Sequence, residues 1–122
     1  MKSVAVIGAS NDRSKYGNKA VRAFQRAGYK VFPVHPAQTE VEQLPCYKNV
    51  RDLPEKPALV SVYVGPERLL QILPDIAACG CDELWLNPGT VSQEVLDKAK
   101  ELGLKSVQLC SIIAVGSSPS EL

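Results

Sequence analysis

The sequence predicts an α/β domain: a Rossmann-like, doubly wound, five-stranded parallel sheet in the order 3-2-1-4-5, with helices on both faces. Three observations carry this expectation. The unbroken apolar run Val4-Ala5-Val6-Ile7 suits a strand covered on both sides. Gly8 ends that run, and a small, polar and basic loop follows before apolar residues recur at helical spacing at Ala20, Val21, Phe24 and Ala27. Strand-like and helix-like segments then keep alternating, through connections short enough to demand right-handed crossovers.

The first helix is expected from about Tyr16 to Ala27, with Lys19, Arg22, Gln25 and Arg26 on its polar face and Gly28 as its stop. Tyr29 to Val34 reads as the second strand, and Pro33 is expected to mark its end. His35 to Thr39 is a loop, and Glu40 to Lys48 reads as irregular. Asn49 caps a single turn through Leu53. Ala58 to Val64 is the strongest strand signal of the chain.

Pro66 suits a first helical position, and Leu69, Leu70, Leu73, Ile76 and Ala77 follow at helical spacing. Pro74 is expected to kink or split that helix. Glu83 to Leu86 is a short fourth strand, and Asn87 to Thr90 a turn. A helix capped by Thr90 or Ser92 runs to Leu102, with Glu94 and Lys98 spaced for a pair. Lys105 to Leu109 is the fifth strand, Ile112 to Val115 extends the edge, and residues 116–122 read as a loose tail of a single domain spanning 1–122.

Such a sheet binds ligands outside the carboxyl ends of its strands, at the point where the strand order reverses. With the order 3-2-1-4-5 that point lies between strands 1 and 4. Five segments converge there: Gly8 to Lys19, Val34 to Gln38, Val64 to Arg68, Asn87 to Thr90, and Cys110-Ser111. The first of them is a glycine turn, a basic loop and a helix start, the arrangement by which α/β proteins present backbone N–H groups to phosphate. Arg13 and Lys15 either neutralise phosphate there or form a solvated basic loop.

Composition narrows the ligand. The net charge of +1 leaves no footprint for nucleic acid or an anionic membrane surface, so phosphate binding must come from local geometry. No apolar run approaches a membrane span, and Met1-Lys2-Ser3 leads directly into the first strand, so a cytoplasmic location is expected. The four cysteines lack zinc-site spacing and the only histidine, His35, lies far from them; no metal is expected. A dinucleotide site would need G-x-G-x-x-G and an acid ending the second strand. Here Gly8 to Arg13 supplies one glycine of three, and the second strand runs into His35 and Pro36.

VIGASNDRSKYGNKA, then GYKVFPVHP, Leu44-Pro45-Cys46-Tyr47, LWLNPGT and Cys110 after the last strand together resemble the small stand-alone CoA-binding domain proteins. Those are similar to the N-terminal CoA-binding domain of the succinyl-CoA synthetase alpha subunit. The resemblance covers roughly Ser3 to Val115. It implies that Gly8, Ala9, Ser10, Asn11, Lys15, Tyr16, Gly17 and Asn18 hold the CoA diphosphate, with Arg13 in the same loop. It places His35, Pro36 and Gln38 at the adenosine end, and Val64, Asn87, Pro88 and Gly89 along the pantetheine arm. His35 stands where many relatives carry Asn, and Asn87-Pro88-Gly89 replaces a turn that in the synthetase contains a carboxylate.

His35 is either a ligand contact or a half-exposed loop residue. Cys110 is either within reach of the CoA thiol or a buried structural cysteine. No nucleophile–base pair or carboxylate pair is visible, and no catalytic residue is expected. The leading expectation is a non-catalytic protein that binds CoA or an acyl-CoA, with no protein partner identified. An NAD(P)-dependent oxidoreductase on the same fold, or a regulatory interaction module with a vestigial nucleotide pocket, are the alternatives.

Overall fold

In chain order the elements are β1 (Ser3–Ile7), α1 (Tyr16–Arg26), β2 (Lys30–Val34), β3 (Glu40–Val41), β4 (Leu44–Pro45), β5 (Leu59–Val62), α2 (Pro66–Cys79), β6 (Glu83–Leu86), α3 (Gln93–Glu101), β7 (Ser106–Gln108) and α4 (Ser111–Ala114). The computed structural model describes residues 2–122; Met1 lies outside the described residues. Five strands form one parallel sheet, β2-β1-β5-β6-β7, and β3 pairs antiparallel with β4 in a separate hairpin.

Strand alternation divides the apolar residues between two cores. Val4 and Val6 of β1 join Ala20, Val21 and Phe24 of α1 and Ile112 of α4. Ala5 and Ile7 point the other way and join Val60 and Val62, with Leu69, Leu73 and Ile76 of α2 and Val95 and Ala99 of α3. Helices therefore cover both faces, and β1 is buried along its whole length. This is the expected fold class.

The strand order differs from the expectation in one place. Counting only this sheet, it is 2-1-3-4-5: the third strand, β5, pairs with β1 from Val4↔Leu59 to Ile7↔Val62, and does not lie beyond β2. Pro33 supplies the physical reason. It lies inside β2, opposite Val6, rather than ending it. Its carbonyl accepts from the Tyr47 N–H at 2.9 Å, on the side away from β1. The position of the missing N–H faces the same way, so the proline costs the β1 ladder nothing. A fully paired neighbour on that edge would lose a bond at Pro33. Instead Tyr47 bridges to Val34, and the hairpin covers the edge.

Other differences are local. The stretch from Glu40 contains the β3–β4 hairpin, whose turn puts Glu42 at φ 48° and Gln43 at φ 67°. These are left-handed conformations without the usual glycine or asparagine, so the sequence lacks the ordinary hairpin signal. Pro74 leaves α2 a single helix. It lies on the exposed side, while Leu69, Leu73 and Ile76 hold the buried stripe in place. Ser92 is the cap of α3, accepting from the Val95 N–H at 3.1 Å. On α3 the i,i+4 contact is made by Gln93 to Asp97. Ile112 to Ala114 belong to α4 rather than to a sheet edge. In the last residues Pro119–Glu121 form one 3-10 turn, and Lys19 Nζ donates to the Pro119 carbonyl at 3.0 Å.

Candidate functional site

β1 and β5 end side by side, and the chain leaves them in opposite directions. The reversal therefore lies between strands 1 and 3 of the sheet, not between 1 and 4. Gly8 makes the turn out of β1 at φ 88°, with its N–H donating to the Val34 carbonyl at 3.0 Å. A Cβ there would stand 2.7 Å from the Tyr63 carbonyl oxygen, so only glycine fits between the two strand ends. Gly17, in the first turn of α1, packs directly on Gly8. The N-terminus of α1, with the N–H groups of Tyr16 and Gly17, opens onto this point.

The loop from Ala9 to Lys15 is braced from behind. Asn18 is fully buried; its Nδ2 donates to the Ser10 carbonyl at 2.9 Å and to Glu42 Oε2 at 3.1 Å. Its Oδ1 accepts from Arg22 Nε at 2.7 Å. Asn11 Nδ2 donates to Gln38 Oε1 and, at 2.9 Å, to the Glu40 carbonyl. Arg13 lies 3.6 Å from Glu42. Asp12 accepts from the N–H and the hydroxyl of Ser14, which holds its carboxyl below the usual carboxylate range. Asn11, Arg13, Asn18 and Gln38 thus tie the loop to the hairpin and its entry. Ala9 is buried in the core.

Two cavities open on either side of this loop. One, of about 420 Å³, is bounded by Ser10, His35, Pro36, Lys48, Arg68 and Ile72. The other, of about 620 Å³, is bounded by Tyr16, Gly17, Asn87-Pro88-Gly89, Cys110, Ile113 and Pro119. Gly8, Lys15, Tyr63 and Val64 line both, so the two form one crevice with its middle at the helix start. Among the described residues no carboxylate lines either cavity. Arg68 closes a segment that the sequence places at the crevice, whereas Lys48, Tyr63, Ile113 and, behind the loop, Glu42 carry no local motif.

The wall of the larger cavity is organised by Asn87. This residue is 1% exposed, and both ends of its amide are engaged. Nδ2 donates to the Val62 carbonyl at 2.8 Å and to Ser61 Oγ at 3.1 Å, while Oδ1 accepts from the Ser111 N–H at 2.8 Å. Ser61 and Ser111 share a 2.8 Å hydroxyl contact. Asn87 therefore locks β5, β6 and α4 together, and leaves Pro88 and Gly89 facing the cavity. The Tyr63 hydroxyl is buried beside this network without a hydrogen-bond partner of its own. Burial pushes it up to about 12, partly opposed by the neighbouring Ser111 and Ser61 hydroxyls. Burial likewise raises the Cys46, Cys79 and Cys81 thiols, which keeps them protonated and unreactive.

His35 Nδ1 accepts from the Ala37 N–H at 3.0 Å. The neutral ring therefore carries its proton on Nε2, where it is a donor. Partial burial, then the charges of Arg68 and Lys15, hold its pKa below the ordinary value. Among the described residues no group of three or more His, Cys, Asp or Glu is placed to hold a metal ion, and no helix is long and apolar enough to cross a membrane.

These features define a class: a Rossmann-like α/β domain with a ligand crevice where its strand order reverses. The chain belongs to the CoA binding domain family, whose model matches residues 2–116. A conserved hypothetical protein from Pyrococcus furiosus superimposes on it with a TM-score of 0.88 at 30% identity, over 93% of this chain and 99% of that one. The uncharacterized protein YneT of Bacillus subtilis is 25% identical over 114 residues, 93% of this chain and 84% of YneT. Acetate–CoA ligase [ADP-forming] I of Archaeoglobus fulgidus is 26% identical over 116 residues, covering 87% of this chain but 17% of the ligase.

Proposed function

We propose that this domain binds CoA or an acyl-CoA and performs no chemistry of its own. The observation that carries the reading is the two-armed crevice, whose arms meet at Gly8, Lys15, Tyr63 and Val64. CoA has the matching outline, with a diphosphate between an adenosine end and a long, sparsely polar arm. The diphosphate meets the N–H groups of Tyr16 and Gly17 and the charge of Lys15. Adenosine takes the cavity beside His35 and Pro36. The pantetheine arm, with any acyl group, takes the cavity between Val64 and the Pro88-Gly89 turn, where Ile113 and Tyr16 offer apolar surface at the rim. Asn11, Arg13, Asn18 and Gln38 act by holding the loop, and Asn87 by holding the wall.

The oxidoreductase alternative finds no support. A ribose diol wants a carboxylate at the end of β2, and the residue there is His35. Thermal shift with CoA, dephospho-CoA, NAD and NADP tests the reading. Ligand at about 100 times its Kd adds roughly 2.7 kcal/mol of stability. CoA is expected to raise Tm more than NAD or NADP at equal concentration. A larger shift from either dinucleotide overturns the proposal. No shift from any nucleotide favours the interaction module with a vestigial pocket.

A further inference from the structure

We propose that Arg68 and Lys48, joined by Lys15 and the Nε2–H of His35, form a phosphomonoester site in the smaller cavity, which reads the 3′-phosphate of CoA. The inference rests on the CoA reading of the crevice and adds the residues that decide its specificity.

Four separate segments bring positive charge or a donor to this one space. Lys15 comes from the start of α1, His35 from the end of β2, Lys48 from the stretch before the Asn49 turn, and Arg68 from the first turn of α2. No carboxylate lines the cavity among the described residues. Arg13, Lys30, Arg51, Lys56 and Lys105 are each paired with an acid, whereas Lys15, Lys48 and Arg68 have no such partner among the described residues. Other cations of the chain also lack an acid partner; these three are set apart because they line one cavity. Glu67, next to Arg68 in sequence, lies outside the cavity.

The chemistry of the groups specifies the ligand. A terminal phosphate carries a charge of about −1.5 to −2 and three acceptor oxygens. An Arg guanidinium meets two of those oxygens at once, and Lys adds a point charge. His35 contributes a neutral N–H donor, because Ala37 occupies its other nitrogen. The N-terminus of α2, which carries Arg68, adds its partial positive charge. A diphosphate diester in the middle of the crevice does not need this second cluster. A phosphomonoester on the ribose does.

Calorimetric titration of the whole chain tests the assignment, with CoA, dephospho-CoA and adenosine 3′,5′-bisphosphate on wild type, Arg68→Gln and Lys48→Gln. Both side chains are exposed, and a melting curve for each variant checks that the fold is intact. Each variant is expected to bind CoA and the bisphosphate about tenfold more weakly, and dephospho-CoA within about twofold of wild type. Equal affinity of wild type for CoA and dephospho-CoA overturns the site, as does an equal loss for both in the variants. Both of those results leave CoA binding itself standing. If the bisphosphate binds and the variants weaken it while CoA does not bind, the phosphate site stands and the CoA reading falls. If none of the three binds, both fall.

Discussion

Gly17 rests on Gly8: a Cβ at Gly17 would stand 2.1 Å from the Gly8 carbonyl oxygen. The first turn of α1 is therefore seated on the turn that leaves β1, and the distance is set by protein packing before any ligand arrives. Gly17→Ala forces the helix start away from the strand. It is expected to lower stability by about 1–3 kcal/mol. At a temperature where both variants are folded, it is also expected to weaken CoA binding more than Lys15→Ala does, the latter by about 1 kcal/mol. Denaturant melts and titrations of the two variants check this. A stable Gly17→Ala protein with wild-type affinity would show that the approach is not needed.

Asn18 has no exposure to solvent and makes three hydrogen bonds, to Ser10 of the loop, Glu42 of the hairpin and Arg22 of its own helix. Asn18→Ala leaves the Ser10 carbonyl and Arg22 without that partner. Stability is expected to fall by about 1–3 kcal/mol. Glu42→Gln keeps the hairpin and loses only the charge opposite Arg13, so its effect is expected within about 0.5 kcal/mol. Urea denaturation separates the two.

His35 makes the protein weaken on the acid side. Burial first, then Arg68 and Lys15, place its folded pKa below the ordinary 6.5, so the unfolded chain binds the proton more readily. The stability it contributes is present above pH 6.5 and is lost as pH falls through the folded value. Melting temperature measured from about pH 8 down to about pH 5 is expected to drop more steeply in wild type than in His35→Asn. Parallel slopes would remove His35 from the cause.

The Tyr63 hydroxyl is buried with no partner. Tyr63→Phe removes a desolvated polar group at almost no change in volume, and is expected to leave stability unchanged or raise it by about 1 kcal/mol. A marked loss in a denaturant melt would mean that the Ser61 and Ser111 hydroxyls satisfy it.

Cys110 lines the cavity assigned to the pantetheine arm. Its thiolate can attack the disulfide of oxidised CoA, forming a protein–CoA mixed disulfide and releasing one CoA thiol. Intact mass after incubation with oxidised CoA is expected to show one reducible adduct, absent in Cys110→Ser. An adduct that persists in the variant, or none in wild type, argues against that placement.

Much of the fold was legible in the chain because β1 and β5 carry mostly apolar runs buried along their whole length. Gly8 and the helix start after it marked the middle of the crevice for the same local reason. The adjacency of β5 and β1 was not legible from periodicity, which reports how a residue is buried and not beside which strand. Pro33 held the one clue, since a proline tolerates only an unladdered edge on its nitrogen side. The hairpin was hidden because Glu42 and Gln43 take left-handed conformations that their side chains do not advertise.

What the sequence determined by itself is everything that depends on neighbours along the chain: the strands, the helices and their stops, and a glycine turn feeding a helix start. What only the tertiary structure decided is which of the polar residues gathered there line the crevice and which brace it from behind. Asn11 meets Gln38, and Asn18 meets Glu42, across 27 and 24 positions of sequence. Lys48 and Arg68 reach the same cavity as His35 from different elements. Such pairings arise because a folded chain must satisfy its buried polar groups with whatever the packing brings near. Asn18 and Asn87, which the resemblance places at the ligand, are buried, and both ends of each amide are engaged within the protein.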